Sequence, residues 1–291
     1  MLGFVTVPLG TGSPLRCTRC HGTGTLAGYR PALDVVADVA AAVLGWSDGP
    51  GPNVTLGGPE PFAHPELPSL VAGAVQAGVV RLRLETDAAA LVSPANASGA
   101  VAAGVRHLRF RLLGGSPGVH DALTGEAGAL DATLEGVRAF AAAAREQDAA
   151  VSITTLVPVC RHNVRDLSAT VGAALDAGAD AVTLLIDDGG LDVPAAVPWI
   201  TAACDTGVVN GVWVEVDGLP YCLLPRYDLH LADTVRERPG AKGPACAVCA
   251  LDAVCAAGPV EASAETLASL APPADAEALA SRVGKSRGTA S

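Results

Sequence analysis

Six of the eight cysteines fall into two groups whose spacing suits metal ligation. The first is Cys17-x2-Cys20, with Ser13 four residues ahead of it and His21 directly after. The second is Cys222 followed by Cys246-x2-Cys249-x5-Cys255. Thiolates are soft ligands suited to zinc and to iron–sulfur clusters, which usually take three or four protein ligands. The C-terminal group supplies a full set of four. The N-terminal pair does not, and Ser13 would offer only a harder oxygen. Cys17 and Cys20 therefore read either as part of a ligand set completed by Ser13 or His21, or as a structural pair. Cys160 and Cys204 stand alone and read as small buried hydrophobes.

Other residues carry chemistry by position. In Gly57-Gly58-Pro59-Glu60-Pro61 the glycine pair lets backbone approach a ligand, and Glu60 offers an acceptor for an ammonium group. Taken alone, this is also an ordinary turn. Thr86 and Asp87 close one strand-like run, and Asp187 and Asp188 close another. Ligands of open α/β sheets lie at such carboxyl ends, although a terminating turn needs no ligand. Arg111 sits inside an otherwise apolar run, where a guanidinium must be paired or face a cavity.

The elements that must position these residues alternate along the chain. Strand-like runs are expected at 3–9, 53–56, 79–84, 105–113, 150–157, 181–186 and 208–216. Helical periodicity is expected at 30–44, 65–77, 95–103, 129–145, 164–177 and 195–203. Strands alternating with helices imply parallel strands with crossover helices. The strands read as nearly continuous apolar runs, as when both faces are covered. About six such units are too few for a closed eight-fold barrel, leaving a partial barrel or a doubly wound sheet. Residues 1–216 are read as this domain. Residues 217–260 form a cysteine-rich annex with too little apolar material for its own core, so a metal would have to organise it. Residues 261–291 are read as a helical or flexible tail, with a helix at 274–283.

Composition sets the remaining bounds. Half of the 291 residues are hydrophobic, enough for a substantial core. A net charge of −11 argues against nucleic acid, whose phosphates need surplus Lys and Arg. There is no run of about 18 apolar residues, so no membrane span is expected. The N-terminus has no signal-peptide shape, and a cytoplasmic protein is the expectation. In a reducing compartment, closely spaced cysteines read as ligands rather than disulfides.

In their order, these segments resemble the radical S-adenosylmethionine (SAM) superfamily over about residues 3–216. Ser13, Cys17 and Cys20 match the three cysteines of its Cys-x3-Cys-x2-Cys loop, with serine in the first place. Gly58-Pro59-Glu60-Pro61 matches Gly-Gly-Glu-Pro, with proline in the second place, and His64-Pro65-Glu66-Leu67 matches the segment after it. Val119-His120-Asp121-Ala122-Leu123-Thr124-Gly125 and Arg161-His162-Asn163 match segments after the fourth and fifth strands. The resemblance implies a partial (β/α)6 TIM-like barrel. It also implies a [4Fe-4S] cluster with SAM at the N-terminal loop, cleaved reductively to a 5′-deoxyadenosyl radical. Gly57, Gly58 and Glu60 would face the SAM amino group, and Thr86 and Arg111 are candidates for ligand contact. Two departures bear on activity: Ser13 removes a thiolate, and Pro59 removes a backbone N–H.

The annex resembles the SPASM/twitch form of auxiliary-cluster module, where Cys-x2-Cys-x5-Cys recurs. Pro259 occupies the place of the extended form's further cysteine, so a single site is implied, held by Cys222, Cys246, Cys249 and Cys255. It would hold a [4Fe-4S] cluster, with zinc as the alternative. Two functions remain open. One is radical SAM chemistry on a small molecule or peptide. The other is a non-catalytic scaffold or partner subunit, serving another protein, that keeps one C-terminal metal site.

Overall fold

In the computed structural model, the structure describes residues 4–11, 28–47, 51–58, 60–186, 190–224, 226–231, 242–253, 255, 267–268 and 270–288. Ser13, Cys17, Cys20, Pro59, Asp187, Asp188 and Pro259 lie outside the described residues.

The elements are β1 (Val5–Pro8), β2 (Gly10–Thr11), β3 (Gly28–Tyr29), α1 (Ala32–Leu44), β4 (Asn53–Gly57), α2 (Leu67–Gln76), β5 (Arg81–Thr86), α3 (Pro94–Ala102) and β6 (His107–Arg111). There follow α4 (Pro117–Thr124), α5 (Ala129–Glu146), β7 (Ser152–Val159), α6 (Leu167–Asp176), β8 (Ala181–Ile186), α7 (Val193–Asn210), β9 (Trp213–Asp217) and α8 (Ala276–Gly288). A seven-stranded sheet takes the order β1-β4-β5-β6-β7-β8-β9, and β2 and β3 form a separate antiparallel pair. The pairings from β1 through β7 are parallel, which requires the crossover helices expected from sequence. The chain divides into two compact units, 1–156 with 172–181, and 157–171 with 182–291.

In the first unit, Val7, Val54, Leu56, Leu82, Leu84, Leu108 and Phe110 form the buried face of the sheet. Val35 and Val39 of α1 and Leu70, Val71 and Ala74 of α2 contribute buried helix faces. The other face differs from the continuous apolar runs expected. Arg81, Arg83 and Glu85 on β5, and His107, Arg109 and Arg111 on β6, alternate with the buried residues and remain half-exposed. Successive strand residues point to opposite faces, so helices covering one face leave the other to polar side chains. Register aligns Arg83 with His107 and Glu85 with Arg109. The loop after β5 is fixed where α5 passes: a Cβ on Gly136 would fall 1.9 Å from the Ala88 carbonyl oxygen. Only glycine permits that approach.

In the second unit, α7 extends to Asn210, so the strand expected over 208–216 shortens to Trp213–Asp217. Val208 and Val209 look strand-like in sequence but are exposed on the helix, which stops at Gly211 in a left-handed cap. Leu251 and Leu279 are the innermost residues of a small cluster with Tyr221 and Ala276, against which Cys249 and Cys255 pack. The annex thus has an apolar core, but a small one. Among the described residues, no helix is long and apolar enough to cross a membrane.

Candidate functional site

Beyond the end of β4 the chain turns at Gly58, whose φ of 99° suits glycine. This delivers Glu60, only 5% exposed, to the end of β5. Its carboxylate accepts three hydrogen bonds: from Thr86 Oγ1 at 2.6 Å, the Asp87 N–H at 2.9 Å and the Phe62 N–H at 3.1 Å. The Glu60 carbonyl accepts from the Tyr29 hydroxyl at 3.0 Å. Burial, with the neighbouring Asp87 carboxylate, pushes the Glu60 pKa up to about 7 against the pull of those donors. Burial likewise raises Asp87, whose side chain accepts from the Ala89 N–H at 2.9 Å. Burial and the same two carboxylates raise the Tyr29 phenol. The Glu60 carboxyl, buried beside Asp87, can hold a proton near neutrality.

The other motif residues hold their own loops. His64 Nδ1 accepts from the Glu66 N–H at 3.0 Å, so Nε2 carries the proton and donates to the Arg30 carbonyl at 3.0 Å. Glu66 accepts from the Ala32 N–H at the start of α1. His120 Nδ1 accepts from the Leu113 N–H, and Asp121 accepts from the N–H groups of Gly128 and Leu130. In the second unit, Asn163 accepts from the Cys160 N–H at 2.7 Å and donates to the Pro158 carbonyl at 2.8 Å. Each meets backbone groups that helix and sheet leave unpaired.

The polar face of β5 and β6 forms a charged patch. Arg109 donates to Glu85 Oε2 through both Nε and a terminal nitrogen, and Arg111 Nε lies 4.0 Å from the other Glu85 oxygen. Arg83 donates from Nε to Thr55 Oγ1 at 3.0 Å and lies 3.9 Å above the Phe4 ring. Burial, then the Arg109 charge, lowers the Arg83 pKa to about 9, with Glu85 opposing. His107 stacks edge-on against Phe4, and burial, with Arg81 and Arg83, lowers its pKa. Sequence reading singled out Arg111 and missed Arg83, Glu85, His107 and Arg109. The signal was available in the period-two alternation of RLRLE and HLRFR.

The annex brings Cys222, Cys246, Cys249 and Cys255 to the wall of one pocket of about 370 Å³, its solvent-open part included. Burial raises the Cys222 thiol to about 11, with Cys255 and Cys246 adding to the shift. Lys242 closes the wall by donating to Asp252 Oδ1 at 2.6 Å and to the Asp252 carbonyl at 2.9 Å. Among the described residues, no three His, Cys, Asp or Glu side chains form a set around a single metal ion. Thiolates on one zinc lie roughly 4 Å apart, given bonds of about 2.3 Å and tetrahedral angles. Four soft donors on one pocket wall are the kind of set that zinc or an iron–sulfur cluster takes. Cys160 and Cys204 are buried apart from these four.

The structure therefore gathers Glu60 and Thr86 in one site, places Gly57 and Gly58 on the strand and turn leading to it, and leaves Arg111 on the neighbouring polar face. No family model matches the chain. The PqqA peptide cyclase of Ruegeria pomeroyi is 30% identical over 170 residues, 57% of this chain and 42% of that protein. Structures of SuiB from Streptococcus suis, bound to precursor peptide SuiA or to S-adenosylmethionine, both align at a TM-score of 0.60. Their identities are 12% and 11%, over 78% and 76% of this chain and 52% of SuiB. The enzyme anSMEcpe with bound AdoMet aligns at 0.55, with 14% identity over 82% of this chain and 69% of that one. The chain thus spans about half the length of SuiB and less of the cyclase. Its fold is the partial TIM barrel that these structures share.

Proposed function

We propose that this chain is an iron–sulfur protein of the radical SAM type that acts on a peptide. The carrying observation is the buried Glu60 carboxylate, tied to the end of β5 by Thr86 Oγ1 and the Asp87 N–H and to its own turn by the Phe62 N–H. Glu60, with its carboxylate turned inward, fixes the backbone at the strand ends, where Gly57 and Gly58 leave room for SAM. Thr86 holds Glu60, and Arg111 stands near enough to orient an anionic group. Ser13, Cys17 and Cys20 would hold the SAM cluster, and Cys222, Cys246, Cys249 and Cys255 an auxiliary [4Fe-4S] cluster. When bound, the cluster with SAM supplies a reductively generated carbon radical. The peptide assignment draws on the PqqA cyclase and on SuiB with its SuiA peptide.

One feature favours a second reading. With Ser13 in place of a thiolate, the N-terminal loop would bind its cluster weakly. The chain would then be a non-catalytic scaffold keeping only the annex metal, as cluster or zinc. Anaerobic reconstitution decides between them. Two clusters per chain and 5′-deoxyadenosine formed from SAM under reducing conditions support the enzyme. One metal site and no SAM cleavage, even after Ser13→Cys, overturn it.

A further inference from the structure

The polar face of the first unit carries a cation that no carboxylate among the described residues pairs. Arg83 is half-buried, yet its acceptor is a neutral threonine hydroxyl and its stacking partner a phenyl ring. Among the described residues, no carboxylate lies within ion-pair distance of it. The charge that weighs on it most is another guanidinium, Arg109. Glu85 holds Arg109 from one side, through Nε and one terminal nitrogen. Each guanidinium has five N–H donors, so both retain donors beyond these contacts. Two half-buried like charges repel, and a phenyl face offsets that only weakly. A sheet wall needs no such pair, since an aliphatic residue would fill the same space. His107, aligned with Arg83, has its pKa lowered by burial and then by Arg81 and Arg83.

We propose that Arg83 and Arg109 form a binding site for an oxyanion, a carboxylate or phosphate carried by the molecule this protein acts on. An oxyanion with two or more oxygens can accept from both guanidiniums at once, and the fork geometry of arginine suits it. Glu85 acts as the positioning residue that turns Arg109 toward it. Arg83 lies three residues before Thr86, about 10 Å along the strand. The site is therefore distinct from the loops at the strand end. The inference rests on the proposed function and adds that this face meets the molecule acted on, but its test does not pass through SAM cleavage.

The full chain is titrated with inorganic phosphate and, separately, with glutarate, at constant ionic strength in chloride and without SAM. Binding is read by calorimetry and by the shift in Tm. One of the two probes is expected to bind saturably, and which one binds identifies the anion class. Arg83→Met should weaken that binding by about tenfold or more. The same variant without ligand should melt no lower than the parent, because a like-charge contact is removed; a merely structural arginine would give the opposite. Arg83→Lys keeps the charge without the fork and should bind with intermediate strength. Saturable binding by neither probe, or unchanged binding in both Arg83→Met and Arg109→Gln, overturns the proposal. Absence of SAM cleavage in the parent chain would overturn the functional reading and leave these binding results standing.

Discussion

Two polar regions in this chain are built in opposite ways. The Glu60 site is complete in itself: three donors from its own chain meet one carboxylate. The annex pocket is lined by four cysteines around a core as small as Tyr221, Leu251, Ala276 and Leu279. A satisfied polar cluster stabilises the fold and fixes backbone position. A set of soft donors around a pocket adds stability through whatever binds it. The first region thus shapes a loop, and the second is the one proposed to hold a metal.

The strongest way to break this contrast is to remove the thiols. Cys246→Ser with Cys249→Ser should abolish the annex metal, read as iron, sulfide and zinc per chain. Because metal binding is folding energy in such modules, of order 10 kcal/mol in small zinc domains, the annex should also become sensitive to proteolysis. The barrel unit should keep its own melting transition.

The Glu60 site should respond to pH instead. Its folded pKa of about 7 lies above the ordinary carboxylate value, so the folded state binds the proton more tightly. Glu215 on β9, raised to about 7 by burial and then by Asp217, behaves alike. Each contribution is present at low pH and lost as pH rises through about 7. The ceiling is on the order of 3 kcal/mol per group. The Tm should therefore be higher at pH 5 than at pH 8, and Glu60→Gln should remove part of that rise. Glu60→Gln should itself cost about 2 kcal/mol, because an amide can accept with only one of its two ends. A flat profile between pH 5 and pH 8 would show that the carboxylates are ionised throughout.

Smaller effects sharpen the comparison. Asn163→Ala removes two buried hydrogen bonds from a loop and should cost about 1–3 kcal/mol by denaturant unfolding. Lys242→Met breaks an exposed ion pair across the annex pocket and should cost at most about 1 kcal/mol of stability. Its effect should show mainly as faster metal loss to a chelator.

Much of this fold was legible residue by residue. Alternating strand and helix periods gave the parallel sheet, and the order of the motif segments pointed to the partial barrel. The segment after Val208 was misread because two valines on an exposed helix turn look like a strand start, and Gly211 sets the true boundary. The candidate site was less legible. Glu60 suggested an acceptor for a ligand's ammonium, whereas its carboxylate accepts from Thr86, Asp87 and Phe62. Arg83 and Arg109 drew no notice, although their alternation with leucine and phenylalanine marks a strand with one uncovered face.

The sequence by itself determined what is local: helix and strand periods, glycine turns, and the spacing of Cys246, Cys249 and Cys255 on one short stretch. Only the tertiary structure decided which distant groups meet. Parallel register across a crossover set Arg109 beside Glu85, and the turn at Gly58 carried Glu60 to Thr86. The annex fold brought Cys222 to cysteines more than twenty residues away. The reason is physical: local patterns follow from backbone periodicity, but the meeting of two charges or two thiols depends on register and packing summed over the whole chain.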